Sequence, residues 1–193
     1  MFNKIMFKIQ GLSPTMMHNG QLANPLNPYA KALKAVSSKR KKTDEDFEKM
    51  AMIEWEGSLY FNHKGQIVWP GHVLEGALCG AAAKQKLKKV AQSGMFVEED
   101  AVLEYDGPKD IEALKKDPKF RFTTGVRVQN ARIMRTRPFF QNWGLSFVIT
   151  YDPSLFDEQQ VIQIVEILGA KVGLSDFRPR YGRFTVVSAK PLK

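Results

Sequence analysis

Alternating hydrophobic and polar residues mark the clearest strand of the chain, at residues 143–151. Every second residue there is apolar, which is the pattern of a strand with one buried face. A looser alternation over residues 2–10 predicts a first strand, and residues 183–188 predict a last one. Residues 126–137 predict a further strand that is unusually rich in arginine.

Apolar residues spaced three and four apart predict helices over residues 71–91 and 157–168. Gly169 follows the second of these helices directly and is the expected C-cap. A further helix is predicted to begin after Thr43, because Asp46 three residues later completes a capping-box arrangement.

These elements together predict an α+β fold with a ferredoxin-like (RRM-type) βαββαβ core and two insertions. We expect a single domain over residues 1–193, with the insertions at about 12–66 and 92–122. Two helices would cover one face of the sheet and leave the other free. In folds of this type the free face is where single strands bind.

The charge of the chain narrows the choice of partner. The 193 residues include 29 Lys and Arg against 20 Asp and Glu, a formal net charge of +9. Acidic residues concentrate in 44–56 and 98–117, whereas arginines concentrate in 121–137 and 178–183. Segregated charge of this kind favours a polyanionic partner. The alternative is a soluble basic protein whose charge serves no partner.

Several protein classes are disfavoured by composition. The single cysteine, Cys79, permits no disulfide within the chain and makes a cysteine zinc site implausible. No signal-peptide core or membrane-spanning apolar run is present in the sequence. We therefore expect a cytoplasmic protein without a membrane partner, metal or cofactor.

The richest candidate for chemistry is the segment 173–184, GLSDFRPRYGRF. Guanidinium groups fit phosphate oxygens, aromatic rings offer surfaces for bases, and glycines let the backbone approach a ligand closely. The alternative is a loop whose arginines pair with acidic segments and whose aromatic rings are core. The candidate nucleic-acid-binding residues here are Gly173, Phe177, Arg178, Arg180, Tyr181, Gly182 and Arg183.

Two more basic segments are candidates. On a regular strand, side chains an even number of residues apart project to the same face, which applies to Arg127, Arg135 and Arg137. These arginines could contact phosphates, or they could protect an exposed strand edge against aggregation. A basic run could clamp phosphates or remain a solvated loop. It consists of Lys39, Arg40, Lys41 and Lys42.

Support for catalysis is limited to His18, which follows the first predicted strand where a general base of an RNA-cleaving enzyme could lie. The chain has no phosphate-binding Walker loop, nucleophile elbow or paired histidine spacing for a metal. The sequence therefore favours a protein that is not an enzyme.

Two segments resemble a known family. Residues 68–78, VWPGHVLEGAL, resemble the I-P-G-S-S-L-K/R-G-A-L-R segment of the RAMP superfamily, the repeat-associated proteins of class 1 CRISPR effector complexes. Residues 173–184 resemble that superfamily's glycine-rich loop before the last strand. The resemblance implies a βαββαβ core and a backbone-type subunit that stacks along a single strand, or a stand-alone relative from a phage or mobile element. It also implies that the protein acts in the cytoplasm of a prokaryotic or phage-infected host cell.

Three functions stay open at this point. The first is a non-catalytic protein that oligomerises as a filament along single-stranded RNA or DNA, alone or with related subunits. The second is a metal-independent endoribonuclease of the guide-processing type. The third is a structural or inhibitory subunit that binds other proteins. The sequence does not distinguish RNA from DNA.

Overall fold

A computed structural model describes residues 2–128 and 130–192 of the chain. Its strands are Asn3–Gly11 (β1), Thr15–Met16 (β2), Val68–Trp69 (β3), Met95–Phe96 (β4), Ala101–Val102 (β5), Glu104–Tyr105 (β6), Arg121–Val128 (β7), Ala131–Phe140 (β8), Trp143–Tyr151 (β9) and Phe184–Leu192 (β10). Its α-helices are Pro28–Ser37 (α1), Asp44–Gly57 (α2), Gly71–Ala82 (α3), Lys88–Gly94 (α4), Ile111–Lys116 (α5) and Glu158–Ile167 (α6).

The chain forms two compact units. The first unit contains Met1–Thr15, Phe61–Asp106 and Gln141–Lys193, and the second contains Met16–Tyr60 and Gly107–Phe140. The mixture of helices with antiparallel sheets confirms the predicted α+β character. The assignment of a single domain with two insertions stays a prediction. Across the described ranges, no helix is both long and apolar enough to cross a bilayer.

The main sheet of the first unit runs in the order β10-β1-β9-β4, and β6 also pairs with β9. Strand β1 is antiparallel to both neighbours, so that Ile5 lies opposite Ile149 on one side and Pro191 on the other. Ile5, Phe7 and Ile9 are buried while the residues between them are exposed. This period of two gives the sheet one core face and one open face.

The core face of this sheet packs with α3 and α6. Phe7 stacks on Phe147 with ring centroids 5.7 Å apart. The strand predicted at residues 143–151 is confirmed with the same bounds, as β9. The helices contribute their buried apolar residues, which are Leu74, Ala77, Leu78, Ala81 and Ala82 in α3 and Val161, Ile164 and Val165 in α6.

The single arginine-rich strand predicted at residues 126–137 is wrong, because this range is divided between the antiparallel strands β7 and β8. Neither strand is part of the main sheet, which also corrects the predicted strand order. Strands β7 and β8 instead pair with each other in the second unit. The second strand of the main sheet is Met95–Phe96, which pairs with β9. Strand β8 pairs with β7 along one edge and with β2 along the other, so neither of its edges is available to the main sheet. The sequence did not predict β4, because a strand of two residues is too short to show an alternating pattern.

The ends of two helices also differ from the expectation. The predicted helix over residues 71–91 is divided into α3 and α4 by a 3-10 turn and by Lys86, which has a φ of 63°. Gly169 does not cap α6, because a wide π-turn at Leu168–Val172 follows and Gly173 ends it with a φ of 80°. A Cβ on Gly169 would lie 2.4 Å from the carbonyl oxygen of Phe184, so close packing against β10 requires this glycine.

The second unit is built around α2. The capping box at its start is confirmed: the Thr43 side chain accepts from the backbone of Asp46, and the Asp46 side chain accepts from the backbone of Thr43. The buried Trp55 indole donates to the carbonyl oxygen of Phe120 over 2.8 Å. Phe120 in turn packs on Phe140 at the end of β8.

Candidate nucleic-acid interface

Residues 173–183, called the arginine loop below, connect the π-turn after α6 to β10. The loop is bound to the residues that follow β1. The Leu12 amide donates to the Arg183 carbonyl over 2.7 Å, and the Gly182 amide donates to the Pro14 carbonyl over 2.8 Å. The segment that directly follows β1 therefore holds the C-terminal end of the loop.

The base of the arginine loop is closed by two glycines with positive φ, 80° at Gly173 and 77° at Gly182. The Leu174 amide donates to the Gly182 carbonyl over 2.8 Å, and the Thr15 hydroxyl donates to the Leu174 carbonyl over 2.6 Å. A Cβ on Gly182 would lie 2.4 Å from the Leu174 carbonyl group. Glycine is thus required both by backbone conformation and by space.

We expect Gly182→Ala to destabilise the first unit by about 2 kcal/mol, because it adds left-handed strain and a backbone clash. Thermal or urea unfolding measures this loss. The matched control is Gly76→Ala in α3, where a Cβ would meet no atom within 4 Å. Alanine there should be neutral or stabilising. Equal stability of the two variants would contradict the rigid loop base.

The three arginines of the loop are exposed. Among the residues that the structure describes, no carboxylate forms an ion pair with Arg178, Arg180 or Arg183. The described structure therefore does not support the alternative in which the loop arginines pair with the acidic segments. The Arg180 guanidinium lies 5.7 Å from the centre of the Tyr181 ring. Phe177 is 41% exposed and has a φ of 58°.

An open groove of about 670 Å³ lies beside the loop. Lys171, Arg180 and Arg183 supply positive charge to it, and Tyr181 supplies an aromatic surface. Sequence analysis missed Lys171, since a lone lysine after a helix gives no signal until the π-turn places it beside the loop. The remaining lining residues are Ser13, Pro14, Ala170 and Pro179.

Arg135 and Arg137 lie against a buried carboxylate of the second unit and not on an open sheet face, which corrects their expected position. The Glu54 carboxylate accepts from Arg135 Nη1 over 2.5 Å and from the Thr136 amide over 2.8 Å. Arg137 Nη1 lies 3.6 Å from the same carboxylate. A buried carboxylate requires such partners, so neither arginine is included in the interface proposed below.

Arg127 lies in β7 directly opposite Arg132 of β8, and both are exposed. Like charges at directly opposed positions of a hairpin destabilise it unless an anion lies near. The role of Arg127 in nucleic-acid binding stays a prediction.

The basic run at residues 39–42 forms an ordered turn between α1 and α2. The Lys39 ammonium group lies 2.6 Å from Asp46, and this hydrogen bond lowers the pKa of the Asp46 carboxyl from its ordinary value. The Lys42 ammonium donates to the Lys39 carbonyl over 2.9 Å. Arg40 and Lys41 are exposed. Phosphate binding by these four residues stays a prediction.

His18 is exposed in the second unit, and its carbonyl oxygen accepts from the Tyr60 hydroxyl over 3.1 Å. Within residues 2–128 and 130–192, no group of three or more His, Cys, Asp and Glu side chains is placed to hold a metal ion. The role of His18 as a general base stays a prediction.

No protein-family model matches this sequence, and no curated protein matches it either. A cryo-EM structure of the type III-B Cmr-beta complex bound to cognate target RNA contains a similar chain. The match covers 100% of this chain with a TM-score of 0.50 and 10% sequence identity. The two chains share a fold. This chain spans 61% of the length of that Cmr-beta chain, and at this identity the likeness extends to the fold alone.

Proposed function

We propose that this chain binds single-stranded RNA along its phosphate backbone, in the groove beside the arginine loop, and does not cleave it. The observation that carries the proposal is a rigid loop that presents Arg178, Arg180 and Arg183 to solvent, beside Lys171. Because hydrogen bonds already fix the backbone at the base of the loop, binding an anionic ligand mainly requires ordering of the side chains and not of the loop backbone.

The side chains of the loop suit a backbone-directed mode of binding. A guanidinium can donate two parallel hydrogen bonds to one phosphate, and the three arginines could each contact a different phosphate. Phe177 and Tyr181 provide rings on which bases can stack. Neither kind of contact reads the Watson–Crick edges, so we expect little sequence specificity.

Two likenesses support assigning the chain to the RAMP type. The sequence resembles that superfamily in residues 68–78 and 173–184, and the fold is shared with a Cmr-beta chain whose complex holds target RNA. The strand order β10-β1-β9-β4, with α3 and α6 as the connecting helices, supports a ferredoxin-like core in the first unit. We infer that copies of this protein, or related subunits, assemble along one RNA strand in the cytoplasm.

Salt dependence tests this proposal. Each phosphate neutralised on a single strand contributes about −0.7 to the slope of log affinity against log salt. Four contacts, from the three arginines and Lys171, should weaken binding roughly 50-fold over a fourfold increase in salt. Fluorescence anisotropy with a labelled, unstructured RNA oligonucleotide measures the slope, and an affinity that hardly changes with salt would contradict backbone binding.

The non-catalytic part of the proposal has its own test. The same labelled RNA, incubated with the protein in EDTA and separated on a denaturing gel, should remain intact. Cleavage that is lost in a His18→Ala variant would overturn it in favour of a metal-independent endoribonuclease.

A further inference from the structure

Phe177 has an unusual backbone conformation within the arginine loop. Its φ of 58° lies in the left-handed region. Apart from glycines, the residues that the structure describes include only two with a positive φ, Phe177 and Lys86. For a bulky aromatic residue this region is sterically unfavourable. The other left-handed positions of the loop are Gly173 and Gly182, so the loop uses glycine wherever the backbone alone decides.

Hydrogen bonds within the loop hold Phe177 in this conformation. Its amide donates to the Asp176 carboxylate over 3.2 Å, and the Ser175 hydroxyl donates to the Asp176 carbonyl over 2.7 Å. The Tyr181 amide donates to the Phe177 carbonyl over 3.3 Å. A strained backbone persists only where its surroundings fix it, and such positions cluster at binding sites. The conformation of Phe177 therefore points to a function of its side chain.

The Phe177 ring is presented to solvent. It is 41% exposed, whereas Phe184, seven positions later in β10, is 3% exposed and belongs to the core. Tyr181 lines the groove beside the loop, but Phe177 does not. The hydrogen bond between the Tyr181 amide and the Phe177 carbonyl places the two residues one turn apart. An exposed ring thus lies next to the groove that is proposed to hold phosphates.

We propose that Phe177 makes this site specific for unpaired bases, an inference that rests on the proposed function. A base whose phosphate lies in the groove stacks on the Phe177 ring. Single strands can turn their bases outward onto an aromatic ring, whereas the bases of a duplex are stacked on one another. The arginines contact phosphates, which both forms contain, so they do not distinguish the two. Selection of single strands then depends on Phe177.

Three labelled RNA probes test this inference by fluorescence anisotropy: an unstructured strand, an abasic strand of the same length and a duplex. The wild type should bind the unstructured strand about tenfold more tightly than the abasic one, since one stacked base is worth that much. Phe177→Gly should lose about this tenfold advantage and bind the abasic strand and the duplex as the wild type does. Its salt slope should not change, because no charge is removed.

Two further variants separate the ring from the loop conformation. Glycine at position 177 adopts a positive φ without strain, so Phe177→Gly removes the ring and keeps the backbone of the loop. Phe177→Trp keeps an aromatic ring and should retain wild-type preference for the unstructured strand. The matched control is Phe2→Ala, since Phe2 is 50% exposed but precedes β1, at the end of this strand away from the loop. It should bind all three probes as the wild type does.

The outcomes distinguish this inference from the proposed function. A wild type that binds the abasic strand as tightly as the unstructured one, with a steep salt dependence, would overturn the role of Phe177 and leave backbone binding intact. Wild-type affinity of Phe177→Gly for the unstructured strand would also overturn it. A wild type that binds none of the probes would refute the proposed function, and this inference with it.

Discussion

Simultaneous replacement of Arg178, Arg180 and Arg183 by alanine is expected to weaken RNA binding about 100-fold at moderate salt. Charge-assisted hydrogen bonds are worth about 1.5–3 kcal/mol each when formed, but exposed groups retain only part of this because water competes for them. The slope of log affinity against log salt should also fall in magnitude by about 2, since three phosphate contacts are lost. Anisotropy titrations at several salt concentrations measure both quantities.

A control with the same loss of charge separates local contacts from the overall field of the protein. Lys84, Lys88 and Lys89 are exposed in the first unit, around the junction of α3 and α4. Their replacement by alanine removes three positive charges and should change RNA affinity only a few-fold. If both triple variants lose affinity equally, the arginine loop is not the binding site. Unfolding measurements on both variants should show near wild-type stability.

Replacement of Glu54 by alanine is expected to give the largest loss of stability, about 3–5 kcal/mol in the second unit. The Glu54 side chain is 7% exposed and binds Arg135, the Thr136 amide and, at longer range, Arg137. Its removal leaves the Arg137 guanidinium, also 7% exposed, buried without this carboxylate. Urea unfolding and hydrogen exchange of the β8 amides measure the effect.

Two comparisons test the reason for that loss. Glu98→Ala removes an exposed ion pair with Lys4 and should cost at most about 1 kcal/mol. The double variant Glu54→Leu with Arg137→Leu should recover part of the stability, because it removes the buried charge together with its carboxylate. A double variant less stable than Glu54→Ala would show that packing, and not the loss of the buried ion pair, causes the loss.

Local patterns in the sequence predicted those elements whose signals lie within a few residues. The alternation over 143–151 gave β9, and Thr43 with Asp46 gave the start of α2, because strand periodicity and helix capping are local interactions. The arginine loop was identified for the same reason, since its cations, rings and glycines are neighbours in sequence.

The remaining errors concern long-range pairing. An arginine-rich strand can pair with the main sheet or with its own neighbour, and its alternation is the same in both cases. Arg135 and Arg137 were assigned to a ligand because the sequence does not show that Glu54, about 80 positions away, is buried beside them.

The sequence by itself determined the class of the fold, the excess of positive charge and the arginine loop as the main candidate site. Only the tertiary structure decided which cations remain exposed. It buried Arg137 beside Glu54 and brought Lys171 to the groove beside the arginine loop. The physical reason is that desolvation and ion pairing depend on distances in space, which residue order alone does not specify.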